Sequence, residues 1–179
     1  VDEGTAIDAP TWYADADADG YGALATAVNA CQVPANHVAD ATDCDDAAAS
    51  ARPGGTETCN GADDDCDGST DEAGAVDAAT WYRDADTDGY GSVLTSTTAC
   101  AAPTGYVADA TDCNDGLATA RPGGVETCNG VDDDCDGSTD ESSAADATVW
   151  YRDADADGFG AALTTTRACA APTGYAALS

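Results

Sequence analysis

The chain has no methionine and no lysine, and its 179 residues include only one phenylalanine, one histidine and three tryptophans. Much of the hydrophobic fraction is alanine, whose small side chain buries little apolar area. Ordering a residue costs roughly 1.5 kcal/mol, and so few bulky side chains cannot offset that cost by burial. This scarcity excludes an ordinary packed core, so other stabilising elements are required.

Basic residues are also scarce, since five arginines stand against 35 Asp and Glu residues and the formal net charge is -30. Binding to nucleic acid or to an anionic membrane surface depends mainly on attraction to Lys and Arg. Both classes of partner are therefore excluded. A chain with this charge repels itself unless cations bind to it.

No apolar run is long enough to cross a bilayer, and the sequence shows neither an initiator methionine nor a signal peptide. We therefore expect a soluble, mature or excised segment without membrane insertion. Nine cysteines without a CxxC pair, in a chain with one histidine, favour disulfides over zinc or redox chemistry. These features predict a secreted protein that is extracellular or on the cell surface.

One unit recurs along the chain, and Trp12, Trp81 and Trp150 mark its period of 69 residues. Residues 12–72 align with residues 81–141 without a gap, and 42 of the 61 positions are identical. The predicted organisation is the tail of a preceding repeat at 1–11, repeat 1 at 12–80, repeat 2 at 81–149 and a truncated repeat 3 at 150–179.

Each unit begins with a short Trp-Tyr strand, followed by an Asp-rich loop and a β-branched stretch such as 93–98. This order predicts a small β-hairpin, with the Trp-Tyr pairs forming a small core rather than a sugar-stacking surface. No segment shows sustained helical periodicity. The predicted fold is mainly irregular with short β-hairpins and little helix, built from tandem repeats that calcium and disulfides stabilise.

The first acidic cluster of each unit reads Asp-x-Asp-x-Asp-Gly-x-Gly. Alternating Asp residues in a curled loop point several oxygens at one centre, and Gly at the sixth position permits the sharp turn, as in an EF-hand. Position twelve is Thr rather than the bidentate Glu, so further oxygens must come from elsewhere. The predicted calcium ligands are Asp15, Asp17, Asp19, Asp84, Asp86, Asp88, Asp153, Asp155 and Asp157.

The second cluster is Asp-Cys-Asp-Asp or Asp-Cys-Asn-Asp, and a glutamate follows eleven residues after its last Asp. One alternative is that this glutamate closes a second site bidentately. The other is that Asp40 and Asp43 fold back after the hairpin to complete the first loop. The sequence leaves both open. The candidate ligands are Asp43, Asp45, Asp46, Glu57, Asp112, Asn114, Asp115 and Glu126.

The third cluster, Asp-Asp-Asp-Cys-Asp-Gly-Ser-Thr-Asp, has the one, three, five, nine spacing of a calcium loop. A merely solvated acidic surface scatters its charges, whereas these carboxylates alternate and recur at fixed positions. The predicted ligands are Asp63, Asp65, Asp67, Asp71, Asp132, Asp134, Asp136 and Asp140.

Three segments recur in order in each full repeat: Trp-Tyr-x-Asp-x-Asp-x-Asp-Gly-Tyr-Gly, Asp-Cys-Asp-Asp or its Asn variant, and Glu-Thr-Cys-Asn-Gly-x-Asp-Asp-Asp-Cys-Asp-Gly. Together they resemble the MopE-type metal-binding repeat of bacterial secreted and surface proteins. The Asp-x-Asp-x-Asp-Gly portion is also similar to thrombospondin type 3 repeats, which wrap chain around calcium. The MopE-type label implies copper, but copper prefers imidazole or thioether ligands. The single histidine, His37, aligns with Tyr106 and Tyr175 and is interpreted as an aromatic substitution.

These features predict an extracellular structural protein whose calcium-binding repeats self-associate into a filament, stalk or surface layer. The alternatives are a calcium-dependent adhesion module and metal sequestration, including copper. An enzyme is not expected, because the Asp runs offer neither a nucleophile nor an apolar pocket that would raise the pKa of one carboxyl.

Short loops flanked by metal ligands favour four cysteine pairs: Cys31–Cys44, Cys59–Cys66, Cys100–Cys113 and Cys128–Cys135. Cys169 is then left without a partner, and the loop at 153–157 lacks the later carboxylates of the other repeats. One hypothesis is that residues 1–8 of a neighbouring molecule supply oxygens to this loop and join subunits head to tail. The other is that a following repeat supplies both the ligands and the thiol.

Overall fold

The computed structural model describes residues 8–178, and in that range it contains nine short strands, one 3-10 turn and no α-helix. No helix in this part of the chain is long and apolar enough to span a membrane. The prediction of mainly irregular structure with small hairpins and little helix is confirmed. The strands are β1 (Thr11–Ala14), β2 (Val28–Asn29), β3 (His37–Val38), β4 (Ala79–Arg83), β5 (Ser92–Ala99), β6 (Tyr106–Val107), β7 (Thr148–Arg152), β8 (Ala161–Ala168) and β9 (Tyr175–Ala176).

The strands form three small sheets, each with the Trp-Tyr strand in the centre, in the orders β2-β1-β3, β5-β4-β6 and β8-β7-β9. In the first sheet Ala14 lies opposite His37, and in the third Arg152 lies opposite Tyr175. Both pairings are antiparallel. His37 therefore occupies the place that Tyr175 holds in the third sheet, as the aligned sequences predicted.

The return strand of the hairpin differs between repeats. β5 and β8 are eight residues long, whereas β2 has two residues and follows a 3-10 turn at Leu24–Thr26. The sequence explains the difference, because Val-Leu-Thr-Ser-Thr-Thr precedes Ala99 while Leu-Ala-Thr-Ala precedes β2. β-branched side chains pack well on a pleated strand and alanine does not.

Carboxylates and alanines, not large apolar side chains, occupy the buried positions. Trp12 and Trp150 are half-buried, and their indole Nε1–H groups donate to the carbonyls of Ala30 and Ala168, both at 2.9 Å. The expected Trp-Tyr core is therefore a half-buried patch on each sheet. Among residues 8–178 the buried side chains are Ala51, Ala75, Ala120, Ala144, Ala147, Glu57, Asp64, Asp112, Glu126 and Asp133.

Four disulfides staple the chain: Cys44–Cys66, Cys113–Cys135, Cys59–Cys100 and Cys128–Cys169. The predicted pairing by short loops is wrong at every one of these bonds, and Cys169 has a partner within the chain. The reason is that each Asp-Cys segment contacts the third acidic cluster as well as the Asp loop of its own hairpin, and its cysteine bonds to the cysteine of that cluster. Loops of 22 and 41 residues correspond to about 3 to 4 kcal/mol per bond in the chain-entropy account.

The chain divides into two compact units. One consists of the residues up to Thr80 together with Thr98–Ala101, and the other of Trp81–Thr97 together with the residues from Ala102 onwards. Each unit contains two of the disulfides, because Cys100 belongs with the first unit and Cys169 with the second.

Candidate metal centres

The Asp-x-Asp-x-Asp-Gly loop curls around its own carboxylates. Asp15 Oδ2 accepts the Gly20 N–H at 3.2 Å, and Asp19 Oδ1 accepts the Tyr21 N–H at 2.9 Å. Gly20 has a φ of 100°, a conformation that side chains rarely adopt, which is why the sixth position is glycine. Oxygens of Asp15, Asp17 and Asp19 consequently lie within 4.8 Å of one another.

The second acidic cluster folds back onto this loop. Asp46 Oδ1 accepts the Ala16 N–H at 2.6 Å, and oxygens of Asp17, Asp43 and Asp46 lie within 4.8 Å of one another. Repeat 2 has the same arrangement, with Asp115 Oδ1 accepting the Ala85 N–H at 2.6 Å. We call each loop with its returning segment a loop site. The loop sites comprise Asp15, Asp17, Asp19, Asp43 and Asp46 in repeat 1, and Asp84, Asp86, Asp88, Asp112 and Asp115 in repeat 2.

Of the two alternatives for the second cluster, the structure therefore has the one in which Asp43 returns to the first loop. Asp40 stays at its own turn, where its Oδ1 accepts the N–H and the hydroxyl of Thr42. Asp45 and Asn114, both predicted as ligands, are exposed. Asp45 accepts the Ala47 N–H at 3.2 Å, so it serves the turn that carries Asp43.

Several carboxylate oxygens in the loop sites are buried and accept no hydrogen bond. A buried polar atom without a partner is costly, and a buried charge more so. Asp112 has only 7% of its surface exposed, yet its Oδ2 is one of these atoms. A hard cation bound between the oxygens would satisfy them, so the residues fit a metal ion. The atoms are Asp15 Oδ1, Asp17 Oδ2, Asp19 Oδ2, Asp43 Oδ2, Asp86 Oδ2, Asp88 Oδ2 and Asp112 Oδ2.

The electrostatics agree with this geometry. Desolvation raises the pKa of Asp112, a hydrogen bond from the Asn114 N–H opposes the rise, and repulsion from Asp86 and Asp88 adds to it. The pKa of Asp43 is raised for the same reasons. Without a cation, the folded chain holds these like charges together at a cost.

The third acidic cluster forms a second centre, which we call the Glu-Asp site. Glu57 belongs here rather than to the second cluster, since oxygens of Glu57, Asp63 and Asp65 lie within 4.8 Å of one another. Glu57, Asp65, Asp67 and Glu72 line one cavity. The Glu-Asp sites comprise Glu57, Asp63, Asp65, Asp67 and Glu72 in repeat 1, and Glu126, Asp132, Asp134, Asp136 and Glu141 in repeat 2.

Glu72 and Glu141 were missed by the sequence analysis. Both oxygens of each are buried and accept no hydrogen bond. The nearby N–H of Glu72 itself favours the charged carboxylate, but desolvation and repulsion from Glu57 and Asp67 outweigh this effect and raise the pKa of Glu72. The available signal was a glutamate at the end of an Asp loop, because EF-hand loops close with a bidentate Glu.

Asp71, predicted as the ninth-position ligand, holds the frame of the site. Its Oδ1 accepts the Gly61 N–H at 2.9 Å, and its own N–H donates to Glu57 Oε1 at 3.1 Å. Asp140 makes the equivalent bond to the Gly130 N–H at 2.9 Å. Each residue thus fastens the start of the Asp loop to its end.

Asp64 is buried but has partners. Its Oδ2 accepts the Thr58 hydroxyl at 2.6 Å and the Asn60 amide at 2.8 Å, and these bonds hold the pKa of Asp64 below its usual range. The pKa of Asp133 is lowered in the same way, by hydrogen bonds from Thr127 and then from Asn129. The backbone here is tightly packed, since a Cβ on Gly55 would clash with the Asp64 carbonyl oxygen.

One disulfide connects the two centres of each repeat. Cys44 follows Asp43 of the loop site, and Cys66 stands between Asp65 and Asp67 of the Glu-Asp site. Because their sulfurs are bonded to each other, Cys44 and Cys66 are not free to act as thiolate ligands. The bond fixes the backbone that carries candidate ligands of both centres.

The third loop folds alike but stays open. Asp153 Oδ2 accepts the Gly158 N–H at 3.0 Å, and Asp153 Oδ1 is buried without a partner. Asp155 and Asp157, however, are exposed. The hypothesis that residues 1–8 of a neighbouring molecule complete this loop rests almost entirely on positions outside the described residues, and its other basis, an unpaired Cys169, is wrong.

Comparison with known families finds a metal-binding motif in the same part of each repeat. A family model for the MopE-type metal-binding motif, named for copper binding, matches residues 43–72 and 112–141. The chain carries a MopE-type metal-binding motif twice. Each motif begins at the Asp that returns to the loop site and ends at the Glu of the Glu-Asp site, while the loops at 15–19 and 84–88 lie outside it. No curated protein and no solved structure matched the chain.

Proposed function

We propose that this protein is a calcium-binding structural module of the extracellular space, in which bound ions take the place of an apolar core. The observation that carries the proposal is the set of buried, unpartnered oxygens on Asp17, Asp19 and Asp43, which recurs in repeat 2. Ion binding would offset their desolvation and mutual repulsion. Binding free energy then becomes folding free energy.

Calcium is favoured over copper by the donor atoms. Both kinds of centre offer carboxylate oxygens, which suit hard cations, whereas copper prefers imidazole and soft sulfur. The single histidine lies on β3, and its Nδ1 is 2.8 Å from the Ala35 carbonyl oxygen. The four disulfides are typical of proteins from oxidising compartments, where calcium is abundant.

The proposed role of the module is to build a filament, stalk or surface layer, so the carboxylates serve structure rather than catalysis. The support is the way in which consecutive repeats are joined. Cys59 of repeat 1 bonds to Cys100 in the hairpin segment of repeat 2, and Cys128 of repeat 2 bonds to Cys169 in that of repeat 3. A chain of such units resists extension at every junction.

Metal analysis with calorimetry tests the calcium proposal. Purified protein should bind calcium at the two loop sites and the two Glu-Asp sites, with magnesium and copper as comparison ions. Chelation should expand the chain and make it sensitive to protease. Unchanged hydrodynamic radius and proteolysis in excess EDTA, or tighter binding of copper than of calcium, would refute it.

Electron microscopy with and without calcium tests the structural role. Calcium-dependent fibres or sheets are the expected result. Discrete particles at all calcium concentrations would contradict self-assembly, but they would not contradict the proposal that the protein binds calcium.

A further inference from the structure

Two Asn-Gly pairs, Asn60-Gly61 and Asn129-Gly130, directly precede the third acidic cluster of each repeat. Asparagine before glycine is chemically labile in a mobile chain. The glycine nitrogen attacks the side-chain Cγ, ammonia leaves, and a five-membered succinimide forms. One water then opens the ring to aspartate or isoaspartate, and the reaction needs no oxidant and no enzyme.

The folded site holds the electrophile of this reaction in place. The Asn60 Nδ2 donates to Thr58 Oγ1 at 2.9 Å and to Asp64 Oδ2 at 2.8 Å, and Asn60 Oδ1 accepts the Ala62 N–H at 2.6 Å. For the glycine nitrogen to reach Cγ, the amide must leave these bonds. The three hydrogen bonds therefore restrain the side chain against this movement.

The nucleophile is also engaged. The Gly61 N–H donates to Asp71 Oδ1 at 2.9 Å, so the nitrogen that would attack is bound to a carboxylate on the far side of the loop. Repeat 2 repeats the arrangement with the Gly130 N–H and Asp140 Oδ1 at 2.9 Å. The Asn129 Nδ2 likewise donates to Thr127 Oγ1 at 3.0 Å and to Asp133 Oδ2 at 2.9 Å.

We propose that Asn60 and Asn129 are deamidation sites that the folded backbone around each Glu-Asp site protects. Each local unfolding of this backbone then exposes the asparagine to irreversible deamidation. The product at position 60 has no amide hydrogen to donate and faces the Asp64 carboxylate with a second negative charge. An isoaspartate product also inserts a methylene into the backbone between residue 60 and Gly61. Either product prevents the frame from closing as before, so deamidation records past opening.

Metal binding enters through Asp71, which adjoins Glu72 and donates its N–H to Glu57. An ion bound by Glu57 and Glu72 would steady the acceptor of the Gly61 N–H. Release of that ion would free it. This step rests on the proposed calcium function, whereas the hydrogen-bonded lock itself does not.

The lock is tested with Asp71→Gly against Asp71→Asn, both in saturating calcium, by peptide mass spectrometry of Asn60 and Asn129 during incubation at 37 °C. Asp71 has a φ of 56°, which glycine and asparagine both tolerate, and only asparagine keeps an acceptor oxygen. We expect Asn60 to deamidate several-fold faster in Asp71→Gly, with Asn129 unchanged and Asp71→Asn close to the unmodified protein. Equal or slower deamidation of Asn60 in Asp71→Gly would overturn the proposal.

The reciprocal variant, Asp140→Gly, controls for general unfolding, because it should accelerate Asn129 and leave Asn60 unchanged. Acceleration of both asparagines in each variant would mean global loss of structure and would count against a local lock. In a separate arm, EDTA on the unmodified protein should accelerate both sites. If EDTA has no effect while Asp71→Gly does, the lock stands and its dependence on calcium is wrong.

Discussion

The loops at Asp84–Asp88 and Asp153–Asp157 have nearly the same sequence and the same turn, but they differ in burial. Their sixth-position glycines, Gly89 and Gly158, have φ values of 96° and 92°. In both loops the first Asp accepts the N–H of this glycine, at 3.1 Å and 3.0 Å. Yet the second and third Asp are half-buried in the former loop and exposed in the latter.

The difference lies in a segment distant in sequence. Asp112 and Asp115 return to the loop at 84–88, whereas no Asp-Cys segment follows the loop at 153–157 in this sequence. Local residues form the glycine turn of both loops, because the hydrogen bonds made by the N–H groups of the sixth and seventh positions reach back to Asp residues of the same loop. Desolvation of the carboxylates, and with it the need for a cation, comes from the returning segment.

Removing the returning carboxylate from both complete loops, with Asp43→Ala and Asp112→Ala, should have the largest effect. It makes these loops resemble the one at 153–157, and both loop-site ions should be lost. The cost is about 3 to 5 kcal/mol of binding per site, as when one partner of a buried charge pair is deleted. Calcium calorimetry measures it, with the exposed Asp8→Ala as the control. Unchanged stoichiometry would show that the loop alone binds the ion.

Removing the disulfide behind the returning segment, with Cys113→Ser and Cys135→Ser, should have the next largest effect. The bond closes 22 residues and contributes about 3 kcal/mol to the free energy of unfolding. Because Cys113 adjoins Asp112, calcium affinity at the loop site of repeat 2 should fall as well. Denaturant unfolding and calorimetry measure the two effects, and the loop site of repeat 1 is the internal control.

Adding a returning segment to the third loop tests the comparison in the opposite direction. Extending the chain after Ser179 with Thr-Asp-Ser-Asn-Asp copies residues 111–115 and replaces the cysteine with serine. We expect one additional calcium ion per chain, bound more weakly than at the other loop sites because no disulfide holds the segment. A scrambled extension with the same charge is the control. Equal calcium uptake by both extensions would contradict the role of the return.

The features that were predictable from sequence are those set by neighbouring residues. The Asp-x-Asp-x-Asp-Gly loops, the Trp-Tyr strands and the hairpins follow from spacing and from β-branched residues within about twenty positions. The near identity of the repeats also predicted correctly that His37 holds the strand position that Tyr106 and Tyr175 hold in the other two sheets. These properties need no knowledge of how distant segments meet.

The disulfide pairs and the role of Glu72 were not predictable in that way. Cys44 was expected to pair with Cys31, since a short loop is entropically cheap, but the returning segment carries it to Cys66 instead. In one of the two alternatives left open by the sequence, Glu57 closed a site of the preceding second cluster, whereas its carboxylate lies with Asp63 and Asp65 of the third. In each case the deciding term was the packing of two acidic clusters, which spacing along the chain does not contain.

Acidification should move the metal-free and calcium-bound proteins in opposite directions. The pKa values of Asp43 and Asp112 are raised in the fold, so the metal-free folded state binds protons more readily than the unfolded chain does. Its free energy of unfolding should therefore rise as the pH falls from 7 toward about 4. Asp64 and Asp133 have lowered pKa values, so their contribution is lost as the pH falls further below 3.8.

In the calcium-bound protein the same protons displace the ion, and stability should fall over that range. Urea unfolding at pH 7, 5 and 4, with calcium and with EDTA, separates the two cases. A parallel decline in both would mean that repulsion among the loop-site carboxylates is not a significant cost in the metal-free fold.

The smallest effect is expected from Asp155→Asn in the third loop, compared with its counterpart Asp86→Asn. Asp155 is exposed, so losing its charge should change the free energy of unfolding by less than about 0.5 kcal/mol and leave the calcium count unchanged. Asp86 has a buried, unpartnered Oδ2, and an amide there gives a cation a weaker ligand without charge. The substitution is the same in chemistry, loop and position, so any difference arises from the returning segment alone. Equal losses of calcium in the two variants would mean that the third loop binds an ion without burial, and that the Asp loop is itself sufficient.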